Sequence, residues 1–455
     1  MVAVLISLAL GGSFETVAAP EVVQVVRVDT AAGHLPTQSL TAEPWIGPRS
    51  EPVWLQLSSS AGSSVDIDGT ARAGRSTRGM AVLDGLARLT PTELSAFAAV
   101  NPTAIDTILA APPAASDVTR WWTQLDDTAR HDLQGDLPRL VGNLDGIPLV
   151  DRGQANARYL GEAVAKATAQ LTGASGRTMS PSVTRELSVM KQVQRALVQP
   201  CQSPTRTLVL LDLTDGGRAA IALGNPDTAD YVSYLVPGMN YGVQEQLVNW
   251  SDTADALYAE QVSVLRERAL TSRTSIPSVA TIAWIGYETP SVFTVGGLDR
   301  AEAGADFLVD SWQGIRSTRA EHEPFLSVFA HSYGTLVSLE ALARGSVQVD
   351  ALVLVGSPGS AIQSIDRLNV ADGNVYVGEA DWDPAVNSGF FGSDPGSASY
   401  GAHTLGVDGG VDRQNGRKLS KSWGHNDYFT RGSESLHNMA VIGTDQAALV
   451  TNASE

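Results

Sequence analysis

The stretch LSVFAHSYGTLVSLEALARG, residues 326–345, contains an apolar run, a tight turn and a helical pattern in succession. The run LSVFA predicts a buried strand, and leucines spaced three apart after the turn predict the apolar face of a helix. Between them lies Ser332, with the small residues Ala330 two positions before it and Gly334 two positions after it. Two interpretations of this serine are open: it caps the helix, or it is an exposed nucleophile on a strained turn.

The strand, turn and helix around Ser332 favour the nucleophile. In a nucleophile elbow both flanking residues must be small, because the turn brings neighbouring backbones close together. The serine hydroxyl then lies at the amino end of the helix, where the helix dipole favours developing negative charge. Glycine is usual at the first flank, and Ala330 adds only one methyl group. We therefore predict that Ser332 is a nucleophile.

The chain after Pro200 alternates short apolar runs with helical patterns. Seven runs predict strands, at residues 207–213, 219–224, 231–238, 279–286, 326–331, 351–356 and 374–378. Nearly continuous apolar strands that alternate with helices indicate an α/β fold, a mostly parallel sheet with helices on both faces. The segment LTDGGR between the first two runs predicts a hairpin with an Asp-Gly turn at the sheet edge. We assign residues 201–455 to one α/β catalytic domain.

A helical region is predicted over residues 81–200. Thr90, Pro91 and Glu93 have the spacing of a capping box with proline at the first helical position, which predicts a helix from about residue 91 to 100. The segments LTPTELSAFAAVNP and LDDTARHDLQGDLP share the spacing of a leucine, an apolar residue and a proline. Two such copies predict paired helical hairpins, since a solenoid needs more repeats.

The first eighty residues are predicted to be irregular or weakly β, because glycine, serine, threonine and proline are frequent there. They begin with the apolar run MVAVLISLAL, which lacks the basic residues of a secretory signal and is too short to span a bilayer. We favour a cytoplasmic location over secretion or the cell envelope, and both alternatives stay open.

Composition excludes several classes of protein. The 455-residue chain has a formal net charge of −18 and only 31 lysines and arginines, so nucleic acid is excluded as a partner. A single cysteine, Cys201, allows neither an intrachain disulfide nor a zinc site of cysteines. No phosphate-binding or dinucleotide-binding glycine motif occurs at a strand–helix junction, and HExxH is absent. We expect no metal or organic cofactor, and the oligomeric state is left open.

A serine nucleophile needs a histidine base, and in elbow enzymes the acid and then the histidine follow the serine along the chain. Only His403, His425 and His437 follow Ser332. We predict His425 as the base, because it lies in the polar loop SWGHNDYF after the last strand. His437 falls within a helical pattern and is expected to pack, and His403 is the fallback. His331 adjoins the serine, and we expect its side chain to point the opposite way.

Two aspartates, Asp381 and Asp383, follow the strand at residues 374–378. Because they lie two positions apart, they are expected to point in different directions, and the residues alone do not choose between them. The oxyanion of an acyl-transfer intermediate needs two N–H donors. We predict the backbone N–H of Tyr333, directly after the nucleophile, and that of Met239, where Gly238 lets the backbone turn closely.

The segments DTADYVSYLVPGMN, IAWIGYETP, FAHSYGT, VGSPG and GHNDYF resemble those of α/β-hydrolases, and most closely an uncharacterised α/β-hydrolase family common in actinobacteria. The resemblance covers about residues 121–440, including the helical segment before the sheet. It implies an α/β-hydrolase fold with Ser332, Asp383 and His425 in the triad positions. The Asp-Pro pair after the last strand is the feature that favours Asp383.

These features together predict a serine hydrolase that forms an acyl-enzyme, most simply a hydrolase of carboxylic esters with a small or lipid-like acyl group. An amidase, a peptidase or an acyltransferase with the same triad is an alternative, as is a hydrolase-fold protein that binds a partner without catalysis. The glycine-rich segment from Ala385 to Gly424 is predicted to form a loop over the site. Its aromatic residues either line an acyl pocket or pack on the core, together with the preceding tryptophan: Trp382, Phe390, Phe391 and Tyr400.

Overall fold

The computed structural model describes residues 70–101, 103–173, 181–214 and 216–451. These residues belong to one compact unit. The predictions made for residues 1–69, including the apolar start, lie outside the described residues.

The centre of the molecule is an eight-stranded sheet in the order β1-β2-β4-β3-β5-β6-β7-β8. All seven predicted strands are present, and a short eighth follows them. The strands of this sheet are β1 Arg206–Asp212, β2 Arg218–Leu223, β3 Tyr231–Val236, β4 Val279–Ile285, β5 Phe325–His331, β6 Ala351–Val355, β7 Val375–Gly378 and β8 His403–Thr404. Every pair from β4 to β8 is parallel, and β2 pairs antiparallel with both β1 and β4. The sheet confirms the predicted α/β fold.

The predicted hairpin is confirmed at the edge of this sheet. Strands β1 and β2 pair antiparallel, from Arg206 opposite Leu223 to Asp212 opposite Arg218. The connection can reverse this tightly because its glycines adopt positive φ, as in Gly216 at +95°.

Twelve α-helices occur among the described residues. They are α1 Thr70–Leu86, α2 Pro91–Val100, α3 Ala104–Ala110, α4 Ala115–Gln124, α5 Asp127–Asp136, α6 Pro138–Asn143, α7 Leu149–Gly173, α8 Pro181–Ala196, α9 Val243–Ser272, α10 Asp299–Thr318, α11 Tyr333–Ala343 and α12 Glu434–Ile442. No helix in the described ranges is both long enough and apolar enough to cross a membrane.

The start of α1 corrects one prediction. Residues 70–80 were expected to be irregular, but the helix begins at Thr70. The segment TARAGRSTRGM mixes glycine, serine and threonine with alanine, arginine and methionine, which have high helix propensity. Composition averaged over the first eighty residues hid this local preference.

The predicted capping box of α2 is confirmed. The Thr90 N–H donates to Glu93 Oε2 at 2.9 Å, and the Glu93 N–H donates to Thr90 Oγ1 at 3.4 Å. Helix α2 packs against α5, the corresponding helix of the second copy, and a short helix follows each. The two copies therefore pack against each other through their first helices, and the pairing as helical hairpins stays a prediction.

The helical region packs directly on the sheet. Asn143 Oδ1 accepts the backbone N–H of Leu211 at 2.8 Å, and Asn156 Nδ2 donates to the backbone oxygen of Leu208 at 3.1 Å. Both bonds go to backbone groups of β1, the edge strand of the described sheet. Helices from both sides of residue 200 thus share one compact unit, and the predicted division there stays a prediction.

Apolar clusters cover both faces of the sheet and leave its carboxyl edge for the functional residues. Strand β5 is buried along almost its whole length, with β3 on one side and β6 on the other. Because parallel strands end at the same edge, the loops after β3, β5, β6 and β7 meet there.

Candidate active site

Ser332 occupies a strained turn between β5 and α11. Its φ is +56° and its ψ is −128°, a conformation that residues other than glycine adopt only at a cost. The turn is packed tightly, because a Cβ on Gly334 would lie 2.5 Å from the backbone oxygens of both Val236 and Pro237. Only glycine fits at that flank, while Ala330 is fully buried with its single methyl group. The sequence pattern and the backbone geometry therefore describe the same elbow.

Three predicted site residues lie in one hydrogen-bonded chain. Ser332 Oγ is 2.7 Å from His425 Nε2, and His425 Nδ1 is 2.8 Å from Asp383 Oδ1. The His425 side chain is 12% exposed and that of Asp383 is fully buried. With its proton on Nδ1, the imidazole donates to the carboxylate and accepts from the serine hydroxyl, as a general base requires.

Asp383 is held as a carboxylate by several donors. Burial by itself would raise its pKa, but hydrogen bonds from His425, Tyr428 and the Ala385 N–H outweigh burial and hold the pKa below its usual value. The Tyr428 hydroxyl donates to Oδ2 at 2.7 Å, and the Ala385 N–H donates to Oδ1 at 2.8 Å. Both carboxylate oxygens are thus saturated while the group stays charged.

The other candidates for acid and base lie elsewhere. Asp381 is exposed and forms an ion pair with Lys421 at 2.7 Å, so it does not reach the imidazole. His403 is exposed on β8. His437 is buried in α12, as expected for a packing residue, with Nδ1 3.0 Å from Glu260 Oε1. The structure therefore brings Asp383 and His425 to Ser332.

The two predicted oxyanion donors border the nucleophile. The backbone N–H groups of Tyr333 and Met239 donate to no other described residue. A Cβ on Gly238 would lie 2.5 Å from Ser332 Cβ, so the loop after β3 passes directly beside the serine. The Tyr287 hydroxyl donates to Pro237 O at 2.7 Å and supports that loop. The assignment of these two donors stays a prediction.

His331, whose side chain we expected to point opposite to that of Ser332, packs against the loop that carries His425. Its ring centroid is 4.7 Å from that of His425, and its Nε2 is 2.7 Å from the backbone oxygen of His425. Burial, and then the neighbouring imidazole, lower the pKa of His331 to about 3, so the ring is neutral and Nε2–H donates. Strand alternation placed His331 opposite the serine, but the loop carrying His425 folds over that side.

Tyr428 is a site residue that the sequence analysis missed. It lies three positions after His425, within the 3₁₀ turn Asp427–Phe429. Its fully buried hydroxyl accepts the Ala380 N–H at 2.9 Å while donating to Asp383. Burial, and then the charge of Asp383, hold the pKa of Tyr428 well above its usual value, so the phenol keeps its proton. The spacing of histidine and tyrosine in GHNDYF was the available signal.

The segment between Ala385 and Gly424 is largely irregular, as predicted, although it also contains β8 and a small hairpin of β9 Gly410–Val411 and β10 Lys418–Leu419. Its predicted aromatic residues divide between the two alternatives. The Phe391 ring is 5.9 Å from that of Tyr333 and so borders the site. Tyr400 is buried within the loop, whereas Trp382 and Phe390 are exposed. Within the described ranges, no three acidic, histidine or cysteine side chains form a group that could hold a metal ion.

Comparison with known proteins relates this chain to a family. A family model described as "Alpha/beta hydrolase" matches residues 212–391. An uncharacterized protein of Mycobacterium bovis is 30% identical over 200 residues, which are 42% of this chain and 74% of that relative. An uncharacterized protein of Mycobacterium tuberculosis is 28% identical over 382 residues, or 73% of this chain. The chain spans 56% of the length of that second relative.

Among solved structures, one described as that of an arylesterase aligns with 64% of this chain and 98% of its own. The identity is 14% and the TM-score is 0.33. A likeness at that score carries no argument about the reaction.

Proposed function

Because the chain belongs to the α/β-hydrolase family, we propose that its elbow serine makes it a serine hydrolase of carboxylic esters. The observation that carries this proposal is the continuous chain from Ser332 Oγ through His425 to Asp383, with contacts of 2.7 and 2.8 Å. The strained backbone at Ser332 supports it, since such strain is concentrated at functional sites.

In the acylation step, Ser332 Oγ bonds to the ester carbonyl carbon while its proton passes to His425 Nε2. The positive charge that develops on the imidazole is stabilised by Asp383 at Nδ1. The carbonyl oxygen becomes an oxyanion, for which Tyr333 and Met239 supply N–H donors. When the C–O bond to the alcohol breaks, Nε2 returns its proton to the leaving oxygen, and the acyl-enzyme remains.

Deacylation repeats these steps with water. Water gives a proton to His425 Nε2 and attacks the acyl carbon, and Ser332 Oγ leaves with that proton as the acid is released. The contact of the Phe391 ring with Tyr333, the residue that follows the nucleophile, supports an apolar acyl group, because ligand pockets are lined mostly by apolar side chains.

A fluorophosphonate probe, which phosphonylates activated serines, tests this proposal directly. Wild type should be labelled and Ser332→Ala should not, while Ser272→Ala, an exposed serine at the end of α9, should label like wild type. Nitrophenyl esters of graded chain length and the matching anilides then give the reaction class. Absence of labelling in wild type, or labelling that persists in Ser332→Ala, refutes the proposed nucleophile. Faster cleavage of the anilides than of the matching esters refutes the proposed ester hydrolase.

A further inference from the structure

Exposed aromatic side chains are concentrated at the edge of the molecule that carries Ser332. Among the described residues, five phenylalanine and tryptophan side chains are exposed, and four of them lie on loops at the carboxyl edge of the sheet. These four are Phe293, 94% exposed, Trp382, 84%, Trp423, 53%, and Phe390, 46%. We call these four residues the aromatic rim. Exposed aromatic side chains gathered at one edge of a protein are a candidate interaction site.

Two members of the rim border the acid–base side of the site. Trp382 directly precedes Asp383, and Trp423 lies two positions before His425. The segments that carry them are joined, because Asp381 forms a parallel β-bridge with Trp423 and its backbone oxygen accepts the Gly424 N–H at 2.8 Å. The two tryptophans are therefore anchored to the residues that activate the serine.

The other two members border the side of Tyr333, the residue after the nucleophile. The Tyr333 hydroxyl donates to Gly297 O at 2.6 Å, in the loop that carries Phe293. The Phe391 ring lies 5.9 Å from that of Tyr333 and 4.7 Å from that of Phe390. The segments that carry the four aromatic side chains thus contact the site from two directions, through Tyr333 and through the loops of Asp383 and His425.

The backbone at Trp382 supports a role outside folding. Its φ is +63°, a conformation in which a bulky side chain is strained, and this strain presents the indole to water. Neither the strain nor the exposure of the indole stabilises the fold, since hydrophobic stabilisation comes from burial. Contact of the Trp382 indole with an apolar phase would remove it from water and so give the hydrophobic stabilisation that the exposed indole lacks.

We propose that the aromatic rim docks the protein on the surface of a zwitterionic lipid bilayer. This rests on the proposed ester hydrolase function, because such a surface delivers an acyl chain to Ser332 without passage through water. A protein partner seated on the same rim would instead cover the serine. Tryptophan and phenylalanine are the side chains that partition well into the boundary between water and lipid.

Charge selects the kind of lipid. The whole chain carries a net charge of −18, and beside Trp423 the cation of Lys421 is paired with both Asp381 and Asp408. An anionic membrane would be repelled by this field, whereas an uncharged surface would not. The rim is thus suited to neutral or zwitterionic lipid.

The test uses the full chain carrying Ser332→Ala, so that binding is measured without hydrolysis. Co-sedimentation with phosphatidylcholine vesicles should show binding, and phosphatidylglycerol vesicles should bind less. Trp382→Ala with Trp423→Ala should lower the partition coefficient about 100-fold, or about tenfold for each aromatic removed. Leu270→Ala, which removes a 76% exposed side chain on α9, is the matched control and should bind unchanged.

Three outcomes overturn the proposal: no binding to phosphatidylcholine, equal binding by the tryptophan variants, or stronger binding to the anionic vesicles. Light scattering adds a fourth, because a dimer that the tryptophan substitutions dissociate would make the rim an interface between copies of this chain.

The two proposals fail separately. Vesicle binding by a protein that no fluorophosphonate labels would refute the serine hydrolase and leave the lipid surface standing. Labelling without vesicle binding would do the reverse. When both hold, the tryptophan substitutions should lower activity on an emulsified ester more than on a dissolved short-chain ester, and an unchanged ratio contradicts delivery through the rim.

Discussion

Replacing Tyr428 by phenylalanine removes one hydroxyl group from the support of the proposed triad and leaves the ring in place. The hydroxyl donates to Asp383 Oδ2 at 2.7 Å and accepts the Ala380 N–H at 2.9 Å. His425 and Tyr428 come from one short segment and contact different oxygens of the same carboxylate. Without the hydroxyl, Oδ2 loses its side-chain donor and the carboxylate is free to rotate away from the imidazole.

The expected magnitude follows from these contacts. A hydrogen bond to a charged group contributes about 1.5–3 kcal/mol, and each 1.4 kcal/mol corresponds to about a factor of ten in rate. Tyr428→Phe should therefore lower kcat about 10- to 100-fold. KM should change less than about twofold, because Tyr428 is fully buried and acts through Asp383, so that the loss falls on the transition state.

Steady-state hydrolysis of a nitrophenyl ester measures both constants. Tyr234→Phe is the matched control, because it also removes a buried phenol hydroxyl with one hydrogen-bond partner, Ser311, but away from the site. A double-mutant cycle with Asp383→Asn gives a readout that lost stability alone would not move. If Tyr428 acts through the carboxylate, adding Tyr428→Phe to Asp383→Asn should cost little further activity. Wild-type kcat in Tyr428→Phe, an equal loss in Tyr234→Phe, or fully multiplicative losses in the cycle would refute this reasoning.

Four further substitutions probe the site. Asp383→Asn should lower kcat about 10⁴-fold, because the amide favours the wrong tautomer of the His425 imidazole, whereas Asp381→Asn should keep kcat within about twofold of wild type. A larger loss in Asp381→Asn than in Asp383→Asn would make Asp381 the acid. Gly238→Ala should lower kcat about 100-fold, because its methyl group would lie 2.5 Å from Ser332 Cβ, and wild-type activity in a folded variant would contradict the close approach. The pKa of His331 is lowered to about 3 in the fold from its ordinary value of 6.5, so the unfolded chain binds more protons between these pH values. The free energy of unfolding of wild type minus that of His331→Phe should therefore rise with pH across that window, by about 1.4 kcal/mol per pH unit. If denaturant unfolding shows that this difference does not change with pH, His331 is not buried in its neutral form.

The features that could be predicted from the sequence depend on neighbours along the chain. Apolar periodicity predicted seven strands, and the small flank at Gly334 predicted the turn at Ser332, where its Cβ would clash with backbone oxygens. The capping box of α2 was equally local, since its partners lie three residues apart. The sterics and hydrogen bonds of a turn or a cap act over a few residues, so the amino-acid sequence alone was enough to predict them.

Other features depend on where distant loops meet. Asp381 and Asp383 are two positions apart, and the residues alone left both open. In the tertiary structure Asp383 Oδ1 lies 2.8 Å from Nδ1 of His425, 42 residues later, whereas Asp381 forms an ion pair with Lys421. The contact of His331 with the loop that carries His425 was not predicted, because alternation along a strand carries no information about a loop 94 residues away.

The sequence by itself therefore determined the order of the elements, the α/β fold class and the strained turn at Ser332. Only the tertiary structure decided which carboxylate meets His425, that Tyr428 contacts it, and that the exposed aromatic side chains surround one edge. The physical reason is the range of the interactions. Turn sterics and apolar periodicity depend on residues that are close together in the sequence, whereas the partners of a side chain depend on the packing of the whole sheet.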